Sequence, residues 1–271
     1  MPNETSDSEG RSILKGVDDI IDNRLGLKII GKPPQYGHKE SYQKLLGSRV
    51  DLGMETLIDE IYEQIKSNWI ASDYHRPSIE NWRFEKQKAI GGDNKKEVAL
   101  ERAIVNIPAE IWSNAACWAN QVPTASGLVD PDADRRRAID LVYRRRDDSY
   151  EFIELKVDEK SGGTPLFAAM EILQHGLLYV FSRENEETSR FVKKEPDLLQ
   201  ATNIHLRVLA PASYYAECDL AWLEVCIDRG LGSFLANRGL SFQMDFKFET
   251  LSLTLTRSSP WVPDGPKRTS P

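Results

Sequence analysis

The sequence has little of what most enzyme signatures are made of. It holds only three cysteines, Cys117, Cys218 and Cys226, in 271 residues. They are far apart, odd in number and never spaced CxxC, which speaks against a disulfide framework or a zinc ribbon and points to a reducing, cytoplasmic setting. The four histidines, His38, His75, His175 and His205, form neither HxH nor HExxH, so each is expected to be structural or exposed. Gly91-Gly92 and Gly162-Gly163 lack the pattern of a phosphate-cradling loop, and GxSxG is absent, which leaves nucleotide hydrolysis and serine-hydrolase chemistry without support. No apolar run approaches the ~20 residues that cross a bilayer. The polar segment Met1 to Arg11 carries no apolar signal core, and a soluble chain with no membrane partner is expected.

Positive charge is also in short supply. Lys and Arg total 35 against 42 Asp and Glu, a net charge of −7, which argues against non-specific coating of nucleic acid, since phosphate binding rests on clustered cations. A local basic site remains open. Arg135, Arg136 and Arg137 precede one apolar run and Arg144, Arg145 and Arg146 end it, with Asp132, Asp134, Asp147 and Asp148 offsetting much of their charge.

What is present reads as a mixed α/β chain. Helical spacing covers Ile13 to Ile30 and Met54 to Trp69, separated by the Gly31-Lys32-Pro33-Pro34 breaker and a polar stretch. Residues 1–90 are therefore expected to form a mostly helical N-terminal extension, with 73–93 as a linker. Residues 91–256 read as the main domain and 257–271, rich in Ser, Pro and charge, as a disordered tail. Within the main domain the pattern predicts a helix from Lys95, capped by Asn94, to Asn106. Strands follow near 117–122, 138–144 and 150–157, then a helix over 165–182 and a strand over 203–209. A helix over 220–238 and one or two antiparallel strands over 242–255 complete it.

The chemistry concentrates in Glu154-Leu155-Lys156. On a strand, Glu154 and Lys156 share one face while Ile153, Leu155 and Val157 take the other. On the preceding strand Ile139, Leu141 and Tyr143 form the apolar set, leaving Asp140 and Val142 opposite. In an antiparallel hairpin a three-residue turn centred on Asp147 sets Asp140 across from Glu154, whereas a two-residue turn sets it across from Leu155, on the wrong face. Two carboxylates so placed repel unless a hard divalent cation lies between them. Magnesium or manganese fits, with the Leu155 carbonyl as a backbone ligand and Lys156 reaching a phosphate or an attacking water. At about 100° per residue, Glu97 and Glu101 fall in the middle of the arc formed by Val98, Leu100, Ile104 and Val105. The same construction on the later helix puts Gln174 inside its apolar arc, Glu171 at the edge and His175 outside.

With Glu97 or Glu101 on a first helix, Asp140 on a strand, Glu154-Leu155-Lys156 on the next and Gln174 on the following helix, residues 94–210 resemble the PD-(D/E)XK nuclease superfamily. The stretch Asn120 to Pro123 leading to Arg137 to Val142 is similar to its paired strands, with Ile139 standing in place of the eponymous proline. The resemblance implies a restriction-endonuclease-like αβββαβ core carrying a C-terminal helix and strands. It also implies Mg²⁺-dependent phosphodiester hydrolysis in DNA, less often RNA, by a protein that sometimes works as a homodimer. Asp140, Glu154 and the Leu155 carbonyl would hold the metal, Glu101 or Glu97 would complete the shell, Lys156 would position or activate water, and Gln174 would support the site. The same superfamily includes inactive modules that bind nucleic acid or protein, which is the competing expectation.

Overall fold

The computed structural model describes residues 12–27, 34–48, 53–86, 96–106, 117–129, 134, 137–157, 163–185, 198–216, 218–251 and 268–269. The expected cap Asn94, the basic residues Arg135 and Arg136, and most of the 257–271 tail lie outside them. Three helices come first: α1 (Val17–Arg24), α2 (Lys39–Ser48) and α3 (Met54–Ile70). Then follow α4 (Lys96–Val105), β1 (Trp118–Pro123), β2 (Ala138–Arg146), β3 (Ser149–Leu155), α5 (Pro165–Glu184), β4 (Asn203–Ala210), α6 (Ala221–Asn237), β5 (Gln243–Leu251) and a two-residue strand β6 (Arg268–Thr269).

The sheet runs in chain order, β1 to β6. β1, β2 and β3 pair antiparallel, β3, β4 and β5 pair parallel, and β6 returns antiparallel on β5. The 242–255 region was expected to hold antiparallel strands. Instead β5 is a single strand parallel to β4, because α6 provides the long crossover that parallel neighbours require. The tail likewise departs from the expected disorder at Arg268 and Thr269, which pair with Leu251 and Thr250.

The hairpin reaches the anticipated register by an unexpected route. The turn is two residues, Asp147-Asp148, with Arg146 paired to Ser149. A bulge between Arg144 and Arg146 then shifts the ladder, so that Arg144 faces Tyr150 and Leu141 faces Ile153. Neither turn residue has positive φ. Two-residue turns of that kind twist against their strands, and a bulge restores the right-handed twist. One residue beyond the last ladder pair, Asp140 stands across from Glu154.

α5 begins at Pro165, which needs no N–H partner at the first helical position, and the Thr164 side chain caps it by accepting the Phe167 N–H at 3.1 Å. From Leu166 to Ser182 nearly every residue is buried, so α5 is a central helix walled in on all sides. It lies against the sheet closely enough that a Cβ on Gly176 would come within 2.7 Å of Leu206 Cδ1. The far side of α5 meets α3, and α3 packs on α6.

One buried cluster runs from Ile13 through α3, α5 and α6 to Phe248. The core therefore does not break near residue 90, and the N-terminal helices are part of the same packed unit. Asp134, expected among solvated charges, is fully buried and accepts the Ile13 N–H at 3.1 Å and the Ser12 hydroxyl at 2.7 Å. Asp22 receives the Gln35 and Tyr36 N–H groups at 2.7 and 2.9 Å. A second, smaller cluster on the opposite sheet face joins Leu100, Ile104 and Val105 of α4 to Trp118, Leu141, Ile153 and Leu155.

Candidate metal centre

The alternation of faces slips where the site forms. Ala119 and Val122, three residues apart, both join the α5-side core, and so do Ile139 and Val142 on the neighbouring strand. Trp118 and Leu141 join the opposite cluster. Strict period-2 alternation puts residues three apart on opposite faces, so Ile139 does not share a face with Leu141 as the sequence pattern indicated. The cause lies in β1, where Gln121 takes a left-handed conformation with φ 48°, rare for a residue with a long side chain. Its amide is thereby aimed at two acids: Gln121 Nε2 donates to Glu101 Oε2 at 2.8 Å and to Asp140 Oδ1 at 3.4 Å.

Asp140 sits at the fork where β2 and β3 stop pairing. Its Oδ2 accepts the Leu155 N–H at 3.0 Å, taking the place of a ladder carbonyl. Glu154, on the next position of β3, lies within hydrogen-bonding reach of Asp140. Lys156 Nζ donates to Glu154 Oε1 at 2.7 Å and to Glu171 Oε2 at 3.1 Å. Glu154 and Lys156 are each 6 % exposed, while Asp140 keeps an edge to solvent.

Burial shifts three carboxyls upward, and their charges in turn decide the state of Lys156. Burial and the facing Asp140 push the Glu154 carboxyl well above its usual range, with Lys156 opposing. Burial also raises Asp140, against the pull of the Leu155 N–H and Lys156. Glu101 is raised by burial and held back by its hydrogen bonds from Asn120 and Gln121. For Lys156, burial alone would favour the neutral amine, but Glu154, Glu171 and Asp140 outweigh it and keep the ammonium protonated.

Most, not all, of the expected residues meet. Asp140, Glu154, Lys156 and Glu101 form one connected group through Gln121 and Leu155. Of the two α4 acids, Glu101 makes the bridge, its Oε1 accepting from Asn120 Nδ2 at 2.6 Å; Glu97, one turn earlier, is half-buried. Gln174, one turn beyond Glu171, contacts Tyr36. Its Nε2 lies 3.5 Å from the Tyr36 hydroxyl, which donates to Asp18 Oδ1 at 2.6 Å, so it anchors the N-terminal helices to α5. The α5 residue at the site is Glu171, one turn before Gln174. His175, expected outside the apolar arc, is buried against the Thr124 hydroxyl at 3.1 Å, and burial followed by Arg137 pushes its imidazole down to about 3.

Leu155 was expected to offer a carbonyl; the contact observed is its N–H to Asp140. Asn120 and Gln121 belong to the site without having been singled out for it. Among the described residues no group of three or more His, Cys, Asp or Glu side chains has metal-holding geometry, and no helix is long and apolar enough to cross a membrane. No family model, no curated protein and no solved structure matches the chain.

Proposed function

We propose that the chain is a metal-dependent nuclease of the PD-(D/E)XK type, hydrolysing phosphodiester bonds in DNA by a cation-activated water. The observation that carries this reading is the pair of facing carboxylates, half-buried Asp140 and buried Glu154, beside the buried Lys156 that donates to Glu154. Two such acids in one small volume are a standing electrostatic cost unless a cation or a proton offsets it. The order α4-β1-β2-β3-α5-β4 agrees with the core the resemblance implies.

The donor set suits magnesium or manganese. Mg²⁺ commonly takes one or two protein carboxylates and keeps several waters, so Asp140 and Glu154, with the Leu155 carbonyl, suffice without a third acidic side chain. When bound, the cation lowers the pKa of its water and stabilises charge on the phosphate oxygens. The protein's own groups supply the rest. The Leu155 N–H and Gln121 fix the Asp140 carboxylate from two sides, and Glu101 fixes Gln121 in turn. Lys156, already protonated, is a cation for the phosphate rather than a base for the water. Exchange of Glu171 for a phosphate oxygen as its second partner brings substrate to the acids.

One observation favours a second reading, a binding module that keeps the scaffold without the reaction. Lys156 bridging Glu154 and Glu171 partly neutralises the acids without a metal. Plasmid and linear DNA incubated with Mg²⁺ or Mn²⁺ separate the two. The nuclease reading expects cleavage by the unaltered protein and loss of it in Asp140→Asn and Lys156→Ala; equal products from all three proteins, or none from any, overturn it.

A further inference from the structure

The α5 helix carries a single acid in the stretch where it is otherwise walled in. From Leu166 to Ser182 only Phe167 and Glu171 escape burial. Among the described residues the Glu171 carboxylate makes one hydrogen bond, from Lys156 Nζ at 3.1 Å. Lys156 lies between two acids of unequal depth. Glu154, 8 % exposed at the side chain, accepts from it at 2.7 Å, whereas Glu171 is 33 % exposed. Glu171 is thus the outer partner, on the side from which solvent and any solute reach the ammonium.

A purely structural account of the outer bond falls short. One ammonium is neutralised by one carboxylate, and Lys156 has Glu154 at the shorter distance with Asp140 also in range. Glu171 adds a further negative charge whose field works against the ionised forms of Asp140 and Glu154. An ion pair with one partner this open to water returns little stability. What the bond does is occupy Lys156. It fills the solvent-facing position on the ammonium with a planar, two-oxygen anion, the side-chain group that most resembles one edge of a phosphate.

We propose that Glu171 is an internal competitor of the substrate phosphate, closing Lys156 to the nucleic-acid backbone until a phosphate oxygen displaces it. The inference rests on the nuclease reading of the same side chains and adds regulation to it. Displacement exchanges one charge-assisted bond for another, Lys156 to carboxylate for Lys156 to phosphate, while Glu171 turns toward water. The affinity of the site for backbone is therefore set below what Lys156 alone would give. A polymer held by further contacts along its length offsets the displacement, because its second contact is intramolecular once the first is made. A free phosphate or mononucleotide, with one contact to offer, does not.

The test is a double-mutant cycle read by binding. Fluorescence anisotropy of a labelled short DNA duplex, in EDTA, is measured with the unaltered full chain, Glu171→Gln, Lys156→Met and both together. Glu171→Gln is expected to bind about tenfold or more tightly, since like charges juxtaposed at a binding surface are strongly disfavoured. With Lys156→Met already in place, the same substitution should gain no more than Asp147→Asn does, Asp147 being an exposed acid at the opposite end of the β2–β3 hairpin from Asp140. Non-additivity of that kind is what two residues sharing one contact produce. Where Lys156→Met folds poorly, Glu154→Gln with Lys156→Met replaces it as the background. No gain in Glu171→Gln overturns the proposal. So does a gain of equal size without Lys156, which would leave plain repulsion as the whole effect. Cleavage with Mg²⁺ or Mn²⁺ is scored separately on the unaltered protein. A Lys156-dependent gain without cleavage keeps the competitor and removes the reaction, whereas cleavage without the gain does the reverse.

Discussion

Asp140 accepts the backbone N–H of Leu155 at 3.0 Å at the point where β2 and β3 cease to pair. The contact joins the two halves of the motif by something sturdier than side-chain packing, because the carboxylate substitutes for a strand carbonyl. It also fixes one oxygen of Asp140, leaving the other, Oδ1, toward Gln121.

Gln121 is therefore expected to act as an orienting residue. Gln121→Ala should lower metal affinity or cleavage by about 10- to 100-fold, the usual effect of removing a partner that orients a ligand, with little change in melting temperature in the absence of metal. Titration of Mn²⁺ against both proteins by calorimetry checks it. An unchanged binding constant would show that Glu101 and Gln121 serve only the packing of α4.

Metal should also stabilise the fold. If a cation binds at Asp140 and Glu154 as proposed, at 100 times its dissociation constant it adds about 2.7 kcal/mol to unfolding, visible as a rise in melting temperature. The rise should vanish in a protein carrying Asp140→Asn and Glu154→Gln together. A rise of equal size in that double variant would place the binding elsewhere.

The pH dependence follows from the direction of the Glu154 shift. Its carboxyl is raised from the ordinary 4.5 by burial and Asp140, so the folded state binds the proton more tightly than the unfolded one. The contribution to stability is present below the ordinary value and is lost as pH rises through the raised one. Glu154→Gln should consequently gain stability relative to the unaltered metal-free protein as pH goes from 4 to 8. Urea midpoints at several pH values measure the difference. A gap that narrows in that direction would mean the carboxyl is held ionised.

Much of this site could be read from the chain, for specific reasons. Strand periodicity and hairpin arithmetic put Asp140 across from Glu154 only for a three-residue turn; the two-residue turn with a bulge between Arg144 and Arg146 reaches the same register, and residue number alone does not show a bulge. Glu171 in place of Gln174 did not follow, because an apolar arc identifies one face of a helix only if another face is polar, and α5 is buried all round. Gln121 gave no warning, since glutamine is not a residue that signals positive φ. α2 was hidden inside a polar stretch that has too few apolar positions to show a period. The boundary placed near residue 90 rested on the 73–93 segment with Pro77, Gly91 and Gly92, whereas the packing of α3 on α5 and α6 is a tertiary fact that local pattern does not contain.

Lys156 separates electrostatics from packing most sharply. It is nearly buried, 8 % exposed at the side chain like its partner Glu154, so its loss leaves a carboxylate pair with no compensating cation in a poorly solvated place. Breaking a buried pair from one side costs about 3–5 kcal/mol, and Lys156→Met, which keeps most of the volume, should lose on that order at neutral pH without metal. The loss should shrink on acidification, because removing the cation raises Asp140 and Glu154 further and lets protons do what Lys156 did. Saturating Mn²⁺ should restore part of it at neutral pH, and a lower-charge background, Glu154→Gln with Lys156→Met, should restore more. A variant as unstable at pH 5 as at pH 8, and indifferent to Glu154→Gln, would mean that Lys156 matters for its aliphatic stem rather than its charge.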